Sequence, residues 1–408
     1  MKKPRDPNQF HWLRPDYFVV TLLLFITVAV IGTVTFNLSF LNPIEKALSD
    51  FSFSDLLYSK LATKQENLDT NIVLVNIGHL DREQIARQIV RIRSHQPRII
   101  GFDGFFAVRR DSAVDAQLQH AFSEGNDFIM ACYLTGKQAS EAKFDSLETS
   151  HPYFNSGRRA LVNLGGSDPE TSTIRNFSPL EVFRGDTLLS MAAALVKNYD
   201  PAAFRQLVKR NNQREVINYI GNRSSFISFD AAESLDSATD LSIVKDKIVL
   251  MGYINESFDQ PIDLEDIYFT PLNNELAGRS RPDMYGMVVH ANAASMVLSG
   301  NYINEMPAWL CLLLSFIFCY FYVLFITWFK SRHPNIFDVF FPFFLLILNV
   351  LIVYLFFILY KTCNYSIHST WFLVPVVLYD SFLKWYSRLV ALISRRFKVP
   401  ELFLPPNK

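Results

Sequence analysis

The chain has 408 residues, of which 50% are hydrophobic and only 19% are charged. Soluble domains carry about 25% charged residues, so the deficit indicates apolar residues concentrated in membrane-spanning segments. The 39 basic and 39 acidic residues cancel, which removes the electrostatic basis for binding nucleic acid and excludes that class of partner.

Four cysteines are too few for a disulfide scaffold. Cys311 and Cys319 fall inside an apolar stretch, which leaves Cys132 and Cys363 as the two that could pair in an oxidising compartment. We expect unpaired or buried thiols at these two positions, with the disulfide as the alternative.

The first apolar stretch, residues 17–36, contains no charged residue and follows a short basic segment, residues 1–16. About 20 apolar residues in helical form cross a bilayer core of about 30 Å, so this stretch is predicted to span a membrane. A cleaved signal peptide is the alternative. It is disfavoured because the run is longer than a signal-peptide core and no small-residue cleavage site follows it.

Residues 41–307 have the pattern of an α/β domain. A continuous apolar run at 71–77 predicts a strand, and apolar residues at helical spacing in 81–94 predict a helix, with Asp81 and Gln84 at its start in a capping-box arrangement. A second strand at 98–102 completes a βαβ unit, which predicts parallel pairing through a right-handed crossover.

Further elements follow in the same domain. The patterns predict a helix at 115–122, a strand at 127–133, a mobile polar excursion at 136–150, strands at 215–220 and 247–251, and a last helix at 288–298. The predicted fold is therefore an α/β extracytoplasmic domain, with a mainly parallel sheet and flanking helices, joined to a helical transmembrane region.

Three more spans are predicted, at residues 308–329, 336–360 and 369–386, and aromatic residues lie near their ends. Basic residues of the short loops concentrate in residues 1–16, 330–332 and 387–408, whereas the loop on the opposite side has only Lys361. The positive-inside rule then places both termini in the cytoplasm and residues 41–307 outside the bacterial inner membrane.

Several blocks carry a resemblance to a known family. Residues 99–106 (IIGFDGFF) resemble the GFD signature of the second-type CHASE domain, the cyclase/histidine-kinase-associated sensory extracellular domain. Later blocks follow in the family's order: residues 115–118 (DAQL), 247–252 (KIVLMG), 269–271 (FTP) and 286–293 (GMVVHANA). The resemblance covers about residues 43–386 and implies a sensory domain with one span before it and three after it.

The chain departs from that family in three places. The family typically has Asp-Ile-Asp after its first strand, where this chain has Asn76, Ile77 and Gly78, and a Pro-Trp-Pro-Arg segment before the first helix is missing. Family members commonly continue into a cyclase or kinase, whereas residues 387–408 are predicted to form only a short cytoplasmic tail.

Three polar residues are candidates for ligand binding. Asp103 ends a predicted parallel strand, where ligands bind in open sheets, although its carboxylate could instead cap the following turn or helix. His290 and Asn292 begin the last helix of the domain, two positions apart and so not on one face. They could meet Asp103 in a pH- or ligand-sensitive cleft, or His290 could be a buried histidine bonded to a backbone carbonyl.

Other charged groups are weaker candidates. Arg109 could clamp an anion, although the cluster 109–111 is more typical of a solvated surface. Asp259, Asp263, Glu265 and Asp266 lack the EF-hand spacing and its central glycine, so a solvated loop and no metal are expected. No cofactor motif or catalytic signature is present in the sequence, which argues against an enzyme.

Asp380 and Lys384 lie one helical turn apart near the end of the fourth span. A carboxylate at that depth is costly, so the pair is a candidate for coupling to a membrane partner or pathway. The alternative is a local ion pair in which Lys384 extends to the interface. Residues 388–399 have the pattern of a short interfacial helix.

The leading hypothesis is a sensory inner-membrane protein that contacts the lipid bilayer, forms a possible homo-oligomer and passes its signal to a separate membrane or cytoplasmic protein. The alternative is a structural or assembly subunit of a cell-envelope complex. A hydrolase or transferase using Asp103, His290 and Asn292 is the least favoured hypothesis.

Overall fold

The computed structural model describes residues 15–37, 68–125, 127–137, 144–154, 157–164, 173–255, 266–273, 281–367 and 370–396. The chain divides into two compact units. A helical unit is formed by the described residues of 1–49 and 304–408, and an α/β unit is formed by the described residues of 50–303.

The strands of the α/β unit are β1 Asp69–Asn76, β2 Ile99–Asp103, β3 Phe128–Lys137, β4 Phe144–Thr149, β5 Arg159–Leu161, β6 Asn176–Phe177, β7 Leu180–Phe183, β8 Asp186–Leu189, β9 Glu215–Val216, β10 Phe226–Phe229, β11 Ile248–Gly252, β12 Ile267–Tyr268 and β13 Met284–Tyr285. Seven of them form one sheet in the order β10-β1-β11-β2-β3-β4, with β5 also paired with β3. All pairings in this sheet are parallel except that of β3 with β4.

The helices, in chain order, are α1 Pro15–Asn37, α2 Arg82–Ser94, α3 Ser112–Ser123, α4 Met191–Tyr199, α5 Pro201–Arg210, α6 Ala231–Leu235, α7 Gly286–Ser299, α8 Ala308–Arg332, α9 Pro334–Cys363 and α10 Thr370–Arg396. Two short strands of the helical unit, β14 Asn304–Glu305 and β15 Tyr365–Ser366, pair in parallel.

The two faces of the large sheet are each covered by helices. Alternate residues of a strand point to opposite faces: Ile72 and Leu74 pack with α4 and α7, whereas Val73 and Val75 pack with α2 and α3. Such two-sided burial explains why the central strands are continuous apolar runs rather than alternating ones. The predicted α/β domain with a mainly parallel sheet and flanking helices is confirmed.

The predicted βαβ unit is present, but its two strands are not neighbours. The capping box forms, with the Asp81 carboxylate accepting from the Gln84 backbone N–H at 2.8 Å and the Gln84 side chain accepting from the Asp81 N–H at 3.0 Å. However, β11 lies between β1 and β2 and pairs with both of them. The expectation that the first two strands pair directly was therefore wrong, because a strand far along the chain occupies the place between them.

Two other sequence expectations need correction. Residues 144–149, inside the predicted mobile excursion, form β4. They do so because β3 extends to Lys137 and pairs with them along its edge. Residues 138–143 of that excursion lie outside the described residues. The strand predicted at 215–220 is only two residues long, as β9, and it pairs with β6 outside the large sheet.

In the helical unit, α1, α8, α9 and α10 pack around a shared apolar core that includes Leu24, Val323, Val376 and Tyr379. By length and composition, Ala308–Arg332 and Val339–Cys363 could cross a membrane. In the described part of α1, the apolar segment Tyr17–Val30 is shorter. Two of the four predicted spans therefore meet this criterion in the described residues.

The last helix is longer than the sequence predicted. A span ending at residue 386 and a separate interfacial helix at 388–399 were expected, but α10 continues without a break to Arg396. No proline or glycine stands between Val376 and Arg396 to end the helix. Residues 397–399 lie outside the described residues.

Cys132 and Cys363 do not form a disulfide in the structure. Cys132 is buried in β3, and Cys363 is exposed at the end of α9. Burial raises the pKa of the Cys132 thiol to about 11, which keeps it protonated and unreactive near neutral pH.

Candidate functional site

Three parallel strands of the large sheet end side by side. In register, Asn76 at the end of β1 lies opposite Gly252 at the end of β11, and Gly252 lies opposite Asp103 at the end of β2. The carboxyl edge of a parallel sheet is where open α/β folds bind ligands. The polar groups gathered at this edge are therefore the candidate site.

Asp103 occupies a buried position at this edge. Its side chain is 9% exposed, and its carboxylate Oδ2 lies 3.9 Å from Nε2 of His290 on α7. A Cβ at Gly252 would lie 3.3 Å from the Asp103 Cβ and 3.0 Å from the Met287 sulfur. The glycine at the end of β11 thus allows β2 and α7 to approach each other closely.

Asp266 comes to the same place from the loop before β12. Its backbone has a φ of +65°, in the left-handed region, which a non-glycine residue adopts only when the surroundings hold it there. Its carbonyl accepts the Gly286 N–H at 3.0 Å, and a side chain at Gly286 would collide with its carboxylate. The carboxylate also accepts a hydrogen bond from Tyr268.

The negative charge of Asp266 disfavours the ionisation of Asp103. Burial raises the pKa of Asp103 well above its ordinary value, and the negative charge of Asp266 raises it further. Burial likewise raises the pKa of Asp266, partly offset by the hydrogen bond from Tyr268. Among the described residues, no lysine or arginine is among the groups that shift these two pKa values. The cluster therefore has carboxylate oxygens without a matching cationic side chain.

His290 is buried at the wall of this cluster, with a side chain only 4% exposed. Burial lowers its pKa to about 4, although a hydrogen bond to the backbone carbonyl of Val162 opposes that shift. The imidazole is thus neutral near neutral pH. Both features considered from the sequence are present, since His290 contacts a backbone carbonyl and also faces Asp103.

Asn292 is fully buried but does not join Asp103. Its side-chain oxygen accepts the Ile220 N–H at 2.9 Å, and its amide nitrogen donates to the carbonyls of Gly221 and Val288, each at 2.9 Å. Two residues along a helix correspond to a rotation of about 200°, so its side chain leaves α7 on another face from that of His290. The role of Asn292 is to hold the segment after β9 against α7.

Arg109 lies away from the carboxyl cluster. Its guanidinium sits 4.0 Å above the Tyr153 ring and is exposed. The loop after β2 is instead held by Asp115, which accepts the Arg110 N–H at 2.7 Å and pairs with Arg82 at 2.5 Å. The N-cap of α3 is Asp111, so the capping role considered for Asp103 belongs to a different residue.

Sequence reasoning missed four aromatic side chains at this edge. Tyr268 bonds to Asp266, and the charge of Asp266 acts on Tyr285. The Tyr285 ring lies 6.1 Å from that of Tyr253, whose own ring lies 5.3 Å from that of His79. The position of Tyr253, directly after a buried strand, was the one sequence signal that could have identified it.

The acidic loop is only partly described. Asp266 belongs to the cluster, whereas Asp259, Asp263 and Glu265 lie outside the described residues. Within the described ranges, no group of three or more histidine, cysteine, aspartate or glutamate side chains could hold a metal ion.

The sequence profile of the CHASE2 domain matches residues 21–327, which is well over half of the chain. The chain belongs to the CHASE2 family. This family is one of sensory extracellular domains, so the resemblance in the sequence blocks is confirmed. No curated protein and no solved structure matches the chain.

The CHASE2 blocks converge in three dimensions. The GFD block ends β2 at Asp103, the block at 247–252 contains β11, and the block at 286–293 starts α7 and includes His290. Three stretches that are far apart in this CHASE2 chain therefore build the polar edge of one sheet.

Asn76 stands where the CHASE2 family typically has an aspartate, and in this chain its side chain supports the fold. Asn76 is buried, donates to the Ile254 carbonyl at 2.8 Å and accepts the Ile254 N–H at 2.9 Å. Its oxygen also accepts the Gly78 N–H at 2.8 Å. An amide can make all of these bonds at once, whereas a carboxylate has no donor for the carbonyl.

In the helical unit, Asp380 forms the local ion pair that was considered as the alternative, with Lys384 at 2.6 Å, and it also lies 3.7 Å from Lys330 of α8. The contact with Lys330 was not anticipated, because it joins two helices far apart in sequence. Thr327 and Tyr379 add a 2.7 Å hydrogen bond between α8 and α10. These polar contacts fix the position of α10 relative to α8.

Proposed function

We propose that this CHASE2 protein is a non-enzymatic sensor of the bacterial inner membrane. Residues 41–307 recognise a signal outside the cytoplasmic membrane, and the helices pass it to a separate membrane or cytoplasmic protein. The protein has four spans in this proposal, with both termini in the cytoplasm.

The observation that carries the proposal is the contact between α1 and α8, the helices that precede and follow the sensory domain. Val20 and Leu24 of α1 share a core with Cys319 and Val323 of α8. The Phe316 ring also meets those of Phe18 and Phe25, each at 5.4 Å. Both covalent connections of the domain therefore enter one packed group of helices, where a small relative displacement changes packing.

The membrane part of the proposal is supported by the surface of α9. Phe340, Phe343, Leu346 and Val350 are each about three-fifths exposed, and so are further apolar residues of the same helix. A continuous apolar surface of this kind is unfavourable in water and favourable in lipid. The distribution of lysine and arginine in the short loops supports cytoplasmic termini.

Signal transfer sets a thermodynamic requirement. A ligand shifts the helices only if it binds two states of the protein with different affinities. The test uses the full-length chain in lipid nanodiscs, with its four cysteines replaced by serine and with Leu24→Cys and Val323→Cys introduced. We expect some member of a ligand library to change both the thermal stability and the yield of the α1–α8 crosslink.

The matched variant for this experiment is Asp103→Asn, which removes one ionisable carboxyl group from the candidate site and leaves the helices unchanged. The sensor proposal expects this variant to lose the response to the ligand. A crosslink yield that no ligand alters, in either protein, would contradict the proposal.

The topology has its own test. Single cysteines at Ser140 and Leu404 are labelled in intact spheroplasts with a membrane-impermeant maleimide. We expect Ser140→Cys to react directly and Leu404→Cys to react only after permeabilisation. The reverse pattern would overturn the orientation.

A structural or assembly subunit of an envelope complex is the second candidate function. Asn76 favours it, because its amide is committed to backbone groups at a position where the family carries an acidic residue. This function expects a stoichiometric membrane partner that co-purifies equally well with the Asp103→Ala variant, together with a flat response to ligands.

A further inference from the structure

Within the described residues, no lysine or arginine forms an ion pair with the carboxyl groups of Asp103 and Asp266. The nearest cationic candidate is His290, whose Nε2 lies 3.9 Å from Asp103, which is longer than a hydrogen bond. His290 is also neutral near neutral pH because burial lowers its pKa to about 4. Asp103 is thus nine-tenths buried without a hydrogen-bond donor from the described part of the chain.

A buried carboxylate in that situation takes up a proton or binds a cation. The side chains around the two aspartates decide which cations fit. Tyr268 bonds directly to Asp266, Tyr285 lies within reach of the Asp266 charge, and Tyr253 and His79 continue the aromatic wall. Aromatic faces attract organic cations and stabilise them by about 0.5–2 kcal/mol per ring.

We propose that the carboxyl edge of the sheet binds an organic ammonium ion, with Asp103 and Asp266 as its counter-ions and Tyr253, Tyr268 and Tyr285 as its aromatic wall. This inference rests on the sensory function proposed above and names the chemical class of the signal.

The described residues favour an organic cation over a metal ion. Calcium takes six to eight oxygen ligands, but no group of three or more ligating side chains occurs within the described ranges. Three tyrosine rings contribute little to a small divalent ion and much to an alkylated or aryl ammonium group. The neutral imidazole of His290 can accept a hydrogen bond from the ammonium group.

The site also adjoins the element that leads to the membrane. Gly286, the first residue of α7, donates its N–H to the Asp266 carbonyl, and α7 is followed after residue 299 by a short segment and then by α8. A cation between the aspartates acts on the start of α7, which is the last helix of the domain before α8. This gives the signal a direct covalent route to the helical unit.

The test measures thermal unfolding of the full-length chain in nanodiscs with methylammonium, tetramethylammonium and benzylammonium chlorides at millimolar concentration. Benzyl alcohol is the neutral counterpart of benzylammonium, and calcium chloride tests the metal. We expect at least one ammonium ion to raise Tm, because a ligand that binds the folded state stabilises it. Benzyl alcohol and calcium are expected to have no such effect.

The matched variants are Asp103→Asn and Asp266→Asn, which replace an ionisable carboxyl group by a neutral amide with little change in shape. Asp127→Asn serves as the control, because Asp127 is a carboxylate at the opposite edge of the sheet, where it pairs with Arg93 at 3.2 Å. We expect the two site variants to bind the ammonium ion at least about tenfold more weakly. The control is expected to bind as the unsubstituted chain does.

Three outcomes would overturn the inference: no response to any of the ammonium ions, an equal response to benzyl alcohol, or a response retained in Asp103→Asn. Stabilisation by calcium alone would assign the site to a metal instead. If a neutral or anionic library member changes the α1–α8 crosslink, the sensory function stands while the ammonium inference fails. If nothing changes the crosslink, the sensory function itself fails.

Discussion

His290 and Asn292 stand two positions apart on one helix, yet their side chains serve different purposes. His290 faces a carboxylate and a backbone carbonyl, whereas Asn292 bonds only to groups that hold a neighbouring segment. A polar residue type at a motif position therefore does not reveal whether it binds a ligand or supports the fold. Substitutions of His290 and of Asn292 are therefore expected to have different effects.

Replacing Asn292 by alanine is expected to destabilise the α/β unit. The variant leaves the Ile220 N–H and the Gly221 carbonyl without their partner, and each buried unsatisfied group costs about 1–3 kcal/mol. We expect a loss of about 2–4 kcal/mol in the free energy of unfolding, measured by urea denaturation.

The control for this experiment is Asn198→Ala. Asn198 is half-buried, and its amide nitrogen bonds to Ala194 of its own helix. We expect it to lose less than about 1 kcal/mol. Equal losses in the two variants would contradict the structural role assigned to Asn292.

The pH dependence of stability has opposite signs at two buried groups. Burial lowers the pKa of His290 from 6.5 to about 4. Its contribution to the free energy of unfolding is therefore present above pH 6.5 and is lost as the pH falls toward 4. Burial raises the pKa of Asp283 from 3.8 to about 6. Its contribution to the free energy of unfolding is therefore present below pH 3.8 and is lost as the pH rises through 6.

His290→Gln is expected to gain stability relative to the unsubstituted chain as the pH falls from 6.5 to 4, by about 2–3 kcal/mol. Asp283→Asn is expected to gain relative stability in the opposite direction, as the pH rises from 4 to 6. Thermal unfolding of the full-length proteins between pH 4 and 8 measures both. Parallel pH profiles for the three proteins would refute the assignment.

The residues of the candidate site could be predicted only in part. Asp103 was identifiable because it ends a recognisable strand, and His290 because it lies in a motif that the family shares. Asp266 was not separable from its acidic neighbours in the loop, and the tyrosines carry no motif. Their roles depend on which loops come together at the sheet edge, and sequence spacing does not contain that information.

At the scale of elements, the contact between β2 and α4 depends on Gly101. A Cβ at this position would lie 2.9 Å from the Leu195 side chain and 3.1 Å from each of the Leu250 and Met191 side chains. All of these side chains are buried in one core. The glycine of the GFD block therefore sets how closely α4 packs against the sheet.

Gly101→Ala is expected to destabilise the α/β unit by about 1–3 kcal/mol, because the added methyl group overpacks a filled core. Leu195→Ala alone creates a cavity and costs about 2–5 kcal/mol. The double variant should cost less than the sum of the two, since one change makes room for the other. Strict additivity in urea denaturation would show that the two residues do not share this contact.

The individual elements were more predictable than their arrangement. The runs that became β1, α2, β2 and β11 were visible in the sequence, because burial on two faces requires continuous apolar residues and helical burial requires a regular period. The insertion of β11 between β1 and β2 was not visible. Strand order depends on how the whole domain packs around its sheet. The residues of β1 and β2 do not indicate which strand will pair with them.

At the scale of the whole molecule, the exposed apolar surface of α9 has the largest consequence. Leu346, near the middle of that helix, is 62% exposed, and it faces lipid if the protein has the membrane topology proposed above. Leu346→Lys is expected to impair membrane integration, because a lysine at the centre of a span costs about 2.5–3.5 kcal/mol. Carbonate extraction of membranes from expressing cells measures the integrated fraction.

The matched control is Val182→Lys. Val182 is even more exposed, at 71%, but it lies on the β7–β8 hairpin of the α/β unit. We expect this variant to integrate normally. Equal integration of both variants would argue that α9 is covered by protein rather than by lipid.

The sequence alone determined the types of element, the capping box of α2, the membership in the CHASE2 family and the concentration of apolar residues in the flanking helices. These properties can be read from the chain itself, because helical period and strand burial act over a few residues and the family's motifs follow one another in sequence order. The tertiary structure decided the position of β11, the meeting of Asp103 with Asp266, the separate role of Asn292 and the contact of Asp380 with Lys330. Each of these joins residues far apart in the chain, so it depends on how complete layers pack and not on any local pattern.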